Sequence, residues 1–241
     1  MTTESLRPQD LAFVVSRIPS DIRELLKRCT GLMLAGGFIR ATIAGEKPTD
    51  LDLFGRSVEQ VKFAAKDLAI RRMGGGGGRL IETRNAITLL KPPRLPVQFI
   101  LRWTYEKPEE VVASFDFTIA QAAIWWNWIS EDRKEGKWHS FASSSFYPDL
   151  AARRLVYTSP ARNEDAGGSI LRVRKFLERG YNIQAPSLAA VVARLMMGVK
   201  FDEWNESEPM LAKVLTGLIR EVDPLIVVDG IDLLDEHTTN E

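Results

Sequence analysis

Residues 34–54 read LAGGFIRATIAGEKPTDLDLF. An apolar run stops at Gly36 and Gly37, a short helical stretch stops at Gly45, and TDLDLF then sets a carboxylate on each side of Leu51. Side chains two apart in a strand share a face. Asp50 and Asp52 therefore project side by side, roughly 6–7 Å apart along the backbone, while Leu51 and Leu53 point into a core. Two carboxylates this close repel each other and drive one pKa upward unless a cation sits with them. A divalent ion removes the conflict, and oxygen donors suit magnesium. Two such ions about 3.5–4 Å apart activate an attacking hydroxyl and stabilise departing pyrophosphate. Asp50 and Asp52 are thus the candidate metal and catalytic residues. Gly36 and Gly37 end one strand and open a helix. Lacking Cβ atoms, they let a triphosphate approach the backbone at a helix N-terminus. Arg40 follows one turn later, with a guanidinium suited to phosphate.

The flanking segments extend this pattern. RPQDLAFVVSRI and SDIRELLKRC read as short helices, with Ser20 or Asp21 as the cap of the second. GLMLAGG and TDLDLFG read as strands and SVEQVKFAAKDLAIR as an amphipathic helix. The five glycines at 74–78 fit neither G-x-G-x-x-G nor the Walker pattern, and they read as a flexible hairpin or loop. AITLL and PVQFILRW read as strands split by KPPR. EKPEEVVASFDFTIAQAAIWWNWI reads as a helix start followed by a long apolar segment, with Trp125, Trp126 and Trp128 expected in the core. Beyond residue 130, SEDRKEGK is a polar turn and the remaining patterns are helical.

The expected organisation is α+β. A head of mixed β-sheet flanked by helices occupies 1–130, an all-helical neck-like domain 131–200, and an acidic helical segment 201–241. The 241 residues suffice for a sizeable core. Of the 32 acidic and 32 basic residues, 11 acidic but only 2 basic fall in 201–241, which leaves 21 and 30 in the first 200. A basic body of this kind is compatible with a polyanionic partner. One cysteine, Cys29, excludes an intramolecular disulfide and fits a reducing, cytoplasmic compartment. The start, MTTESLRPQD, has no basic n-region or apolar core of a secretory signal. No apolar run reaches the roughly 20 residues that span a bilayer. His139 and His237, with one cysteine, cannot build a zinc cage, and no nucleophile elbow accompanies them.

D-x-D alone is common, and so is a glycine pair; GGFIR followed ten residues later by DLDLF is more specific. With FDFTIAQAA at 115–123 and PDLAARRLVYTSPARNEDAGGSILRVRKFLERGY at 148–181, the chain resembles nucleotidyltransferases of the DNA polymerase β superfamily. The likeness points to the head and neck of class II CCA-adding enzymes and bacterial poly(A) polymerases. It implies NTP, for example ATP or CTP, as substrate, two magnesium ions at Asp50 and Asp52, and an RNA 3′ end as acceptor. It places Gly36, Gly37 and Arg40 on the triphosphate and Asp116 at the nucleotide or ribose. Glu164, Asp165, Arg172 and Arg174 would line the base-facing side of the neck.

The chain also departs from that pattern. The arginine pair preceding the family's DFT is Ser114 and Phe115, and the aspartate after GG..R is Ala41. The strand position for a third acidic residue holds Gln98, and Gly168 replaces the neck arginine. These departures leave two further readings open: a nucleotide- or RNA-binding module without turnover, and transfer onto a protein or small molecule.

Overall fold

The computed structural model describes residues 3–73, 78–130, 132–160, 166–197 and 207–220. The chain divides into two compact units, Met1–Phe115 with Ala120–Tyr147, and Asp116–Ile119 with Pro148–Glu241.

The first unit is built on an eight-stranded mixed sheet. In chain order its strands are β1 (Thr3–Glu4), β2 (Met33–Ala35), β3 (Leu51–Phe54), β4 (Arg79–Glu82), β5 (Ala86–Leu90), β6 (Val97–Ile100), β7 (Ala122–Trp128) and β8 (Gly136–Ser143). Their spatial order is β1-β8-β7-β2-β3-β6-β5-β4. Only β3 and β6 pair in parallel within it. The helices are α1 (Pro8–Arg17), α2 (Ser20–Arg28), α3 (Gly37–Ile43), α4 (Val58–Met73) and α5 (Pro108–Ser114). This is the α+β head expected from the sequence.

The alternation in LDLF divides the sheet into two faces. Leu51 and Leu53 are fully buried, with Leu34, Val97, Phe99 and Ile124 at like positions on neighbouring strands. Burying each such side chain contributes about 1.5–3 kcal/mol. Helices α2, α3 and α4 pack on the sheet here, and α1 packs on α3. The opposite face carries Met33, Ala35, Phe54, Ala123 and Trp125 in one apolar cluster closed by Val111 and Val112 of α5. Asp52 shares this second face, because it lies two residues from Phe54.

Several elements differ from the sequence reading. The segment after DFT is a strand, β7, rather than a helical continuation, and Trp125 alone of its three tryptophans is buried. Alternation explains this: Trp125 faces the α5 cluster, while Trp126 and Trp128 lie half-exposed on the other face, with Lys27 over the Trp126 ring. The stretch after residue 135 is the eight-residue strand β8, paired along β7, so sheet continues where an all-helical region was expected to begin. Ser20 opens α2 without a side-chain cap, and Asp21 pairs with Arg72 and Arg94 instead. Of the glycine run, residues 74–77 lie outside the described residues, as do 201–206 and 221–241 of the acidic segment.

The second unit holds α7 (Ala166–Glu178), α8 (Ala185–Met196) and α9 (Glu208–Arg220), which pack on one another. A short parallel pair, β9 (Arg154–Leu155) with β10 (Asn182–Ile183), joins this helical unit and was not expected. The division between the units falls within α6 (Phe146–Ala151).

Candidate active site

Pairing between β2 and β3 brings the glycine corner to the aspartates. Ala35 stands opposite Asp52, so antiparallel continuation carries Gly36 and Gly37 past Leu51 and Asp50. The Gly36 amide donates to the Ala122 carbonyl at 2.9 Å, extending the β2–β7 ladder by one bond. The chain then turns with φ +79° at Gly36, a conformation that side chains other than glycine rarely adopt. A Cβ there would meet Cε1 of Phe115 at 2.9 Å. Nothing lies within 4 Å of a Cβ built on Gly37. The corner is thus closed over Gly36 by an aromatic ring and open at Gly37.

Phe115 reaches this position through three contacts. Its ring meets Phe54 edge-on, with centroids 5.8 Å apart and planes at 83°. Its carbonyl accepts from Nε2 of the buried Gln121 at 3.0 Å. Its backbone leaves the C-terminus of α5 in an extended conformation. A ring therefore occupies the place where the related pattern has an arginine.

Asp50 and Asp52 are both half-exposed. Asp50 Oδ1 accepts from the Thr49 hydroxyl at 3.1 Å. No ion pair among the described residues engages Asp50. Oδ1 of Asp52 is buried. Beside Asp52, in register on β6, stands Gln98, and beside Gln98 on β5 stands Thr88. Gln98 is 2% exposed and Thr88 4%. Nε2 of Gln98 is buried without a hydrogen-bond partner. Such an omission costs about 1–3 kcal/mol. Asp52, Gln98 and Thr88 thus form a polar row crossing three central strands, bordered by Ala35 and Ala123. Half-exposed carboxylates, an oxygen-bearing amide and small flanking residues fit a hard divalent ion. No group of three or more His, Cys, Asp or Glu side chains clusters for a metal among the described residues.

Arg40 does not sit open at the corner. It is 2% exposed on α3, and its NH1 donates to Glu46 at 2.5 Å. A phosphate contact would require that pair to open.

The remaining candidates belong to the second unit. Asp116 is 2% exposed, and its Oδ2 accepts from Ser169 Oγ at 2.7 Å and Arg172 Nε at 2.9 Å. The carboxylate is therefore engaged in holding α7. Arg172 and Arg174 do not share a face of that helix: two residues turn it through about 200°. Arg172 is 29% exposed at Asp116, whereas Arg174 is 61% exposed and pairs with Glu178. Glu164 and Asp165 lie outside the described residues. Gln121, Glu46 and Ser169 were not anticipated. Each acts through a contact that no local motif announces, and Ser169 meets Asp116 across 53 positions of sequence.

The model of the Gabija anti-defense 2 family (Gad2) matches residues 7–153, more than half of the chain, and the chain belongs to that family. No protein of curated function matches. Among solved structures, the Thermotoga maritima CCA-adding enzyme complexed with tRNA is 18% identical, with a TM-score of 0.51 over 82% of this chain and 47% of that one. A CCA-adding enzyme in complex with CTP is 18% identical, with a TM-score of 0.52 over 82% of this chain and 48% of that one. A complex with ATP is 17% identical, with a TM-score of 0.52 over 82% and 47%. The likeness shows a nucleotidyltransferase fold. The chain spans about half the length of these enzymes.

Proposed function

We propose that this Gad2 family member is a magnesium-dependent nucleotidyltransferase, moving a nucleoside monophosphate from an NTP to a hydroxyl, with an RNA 3′ end as the leading acceptor. One observation carries the reading: the β2–β3 register that sets the glycine corner beside Asp50 and Asp52. The open space over Gly37 admits a phosphate close to the backbone. Asp50 and Asp52 supply the oxygen ligands for magnesium, and Asp52 is held in place by the sheet. Magnesium, when bound, neutralises the triphosphate and lowers the pKa of the attacking hydroxyl. The aspartates also fix the triphosphate relative to the acceptor, and a carboxylate of the pair takes the proton released on attack. In-line displacement needs positioning and charge neutralisation more than covalent chemistry, so no histidine or cysteine is required. The family description connects this chemistry with an anti-defense role toward Gabija, in which the acceptor or the product acts on that defense.

Phe115 over the corner and Gln98 beside Asp52 favour a second reading, a nucleotide- or RNA-binding module without turnover. Incubation with each of the four labelled NTPs, magnesium, total RNA and lysate separates the two. Transfer of label from one NTP to a defined acceptor supports the enzyme. Calorimetric binding of NTP with no labelled product supports the binder.

A further inference from the structure

Gln98 is a buried amide on the same sheet face as Asp52, one strand away and in register with it. Strand spacing puts the two backbones about 4.8 Å apart. An amide there has an obvious use as a hydrogen-bond donor to the neighbouring carboxylate. Its Nε2 instead has no acceptor at all. Buried polar groups are nearly always paired, and an exception calls for a reason. A structural role supplies none, because an apolar side chain of equal volume would fill the same space without the unmet donor. A ligand role supplies one: an amide whose oxygen serves a cation turns its nitrogen away from that cation.

We propose that Gln98 is a third, neutral oxygen ligand beside Asp50 and Asp52, and that it makes loading of divalent cations depend on the nucleotide. This rests on the magnesium reading of the two aspartates. Two carboxylates and an amide carry a charge of −2, which balances one divalent ion. A second ion then lacks counter-charge until a triphosphate brings its own oxygens. Affinity for hard cations follows the charge count of the ligands. The free protein therefore binds one cation weakly, and the nucleotide recruits the rest.

The test uses the whole chain with Mn2+ as an EPR-visible probe, with and without α,β-methylene ATP, together with thermal melting. In the wild type, the analogue raises the number and affinity of bound Mn2+. Gln98→Glu adds the missing charge, so the free protein binds Mn2+ about 10-fold or more tightly and the dependence on analogue shrinks. Gln98→Met removes the ligand and the unmet donor together, so Mn2+ binds more weakly while the melting temperature rises. Both effects vanish in an Asp52→Asn background. If Asp52→Asn abolishes binding but neither Gln98 variant alters it, Gln98 is not a ligand and the aspartate reading stands. If Gln98→Met melts lower with unchanged Mn2+ affinity, the residue is structural and the proposal is overturned. Binding that ignores Asp52 removes both the proposal and the reading beneath it.

Discussion

Gly36 and Gly37 are neighbours under different constraints. Gly36 has a positive φ and a ring against the place of its missing Cβ. Gly36→Ala must strain the backbone and displace Phe115, at an expected cost of about 1–3 kcal/mol in urea unfolding. Gly37 opens α3 with free space around it. Gly37→Ala is expected to leave stability within about 1 kcal/mol of wild type, in the stabilising direction. Its effect should appear in nucleotide titration, where a methyl group obstructs a phosphate approaching the backbone. Equal stability losses for the two variants would contradict this division of roles. The glycine pair and D-x-D were legible because each is a local signal: a chain break, a period of two, a charge where a strand should be apolar. Arg40 was legible only as a residue type. That it is buried against Glu46 depends on how the chain returns after α3, and a charged residue one turn into a helix gives no sign of this.

Helix α4 is tied to α2 by an ion pair that the sequence does not advertise. Arg72 donates twice to Asp21, from Nε at 2.7 Å and NH2 at 3.2 Å, and Arg94 adds a third bond at 2.8 Å. Burial pushes the Asp21 carboxyl upward, but the bond and charge of Arg72, then the charge of Arg94, hold it below its ordinary 3.8. A carboxyl with a depressed folded pKa contributes stability above its unfolded value and loses it as pH falls through the folded one. Asp21→Asn should therefore destabilise by about 2–3 kcal/mol at pH 7. The gap to wild type should stay constant down to about pH 4 and narrow below it. A gap independent of pH down to pH 2 would refute the pairing. Elements with clear periodicity, such as β3 and α4, were readable from the chain. Strand β7 was not, because AAIWWNW is apolar on both faces of its first half, where a buried strand and a buried helix look alike. Strand β8, GKWHSFAS, is polar enough to read as a loop, and only its partner β7 makes it a strand.

At the scale of the molecule, a sheet-based unit carries the aspartates and the glycine corner, and a helical unit carries Asp116 with Arg172. Asp116→Ala would strip Arg172 and Ser169 of a shared acceptor, so the helical unit should lose about 2–3 kcal/mol. Denaturant unfolding followed by far-UV dichroism would register it, and Ser169→Ala should cost less because Arg172 keeps its partner. The α+β head and the place of its catalytic pair were visible from motif order. The two-stranded pair within the helical unit was hidden, because two-residue strands leave no period to read. Family membership and fold point to a nucleotidyltransferase core recruited to an anti-defense role, and the carboxylates on β3 decide whether it still performs the chemistry. The direct test is transfer of labelled nucleotide in the presence of magnesium, comparing wild type with the Asp50→Ala/Asp52→Ala double variant at matched circular dichroism. The account predicts labelled product from the wild type and none from the double variant; product formed equally by both would contradict it.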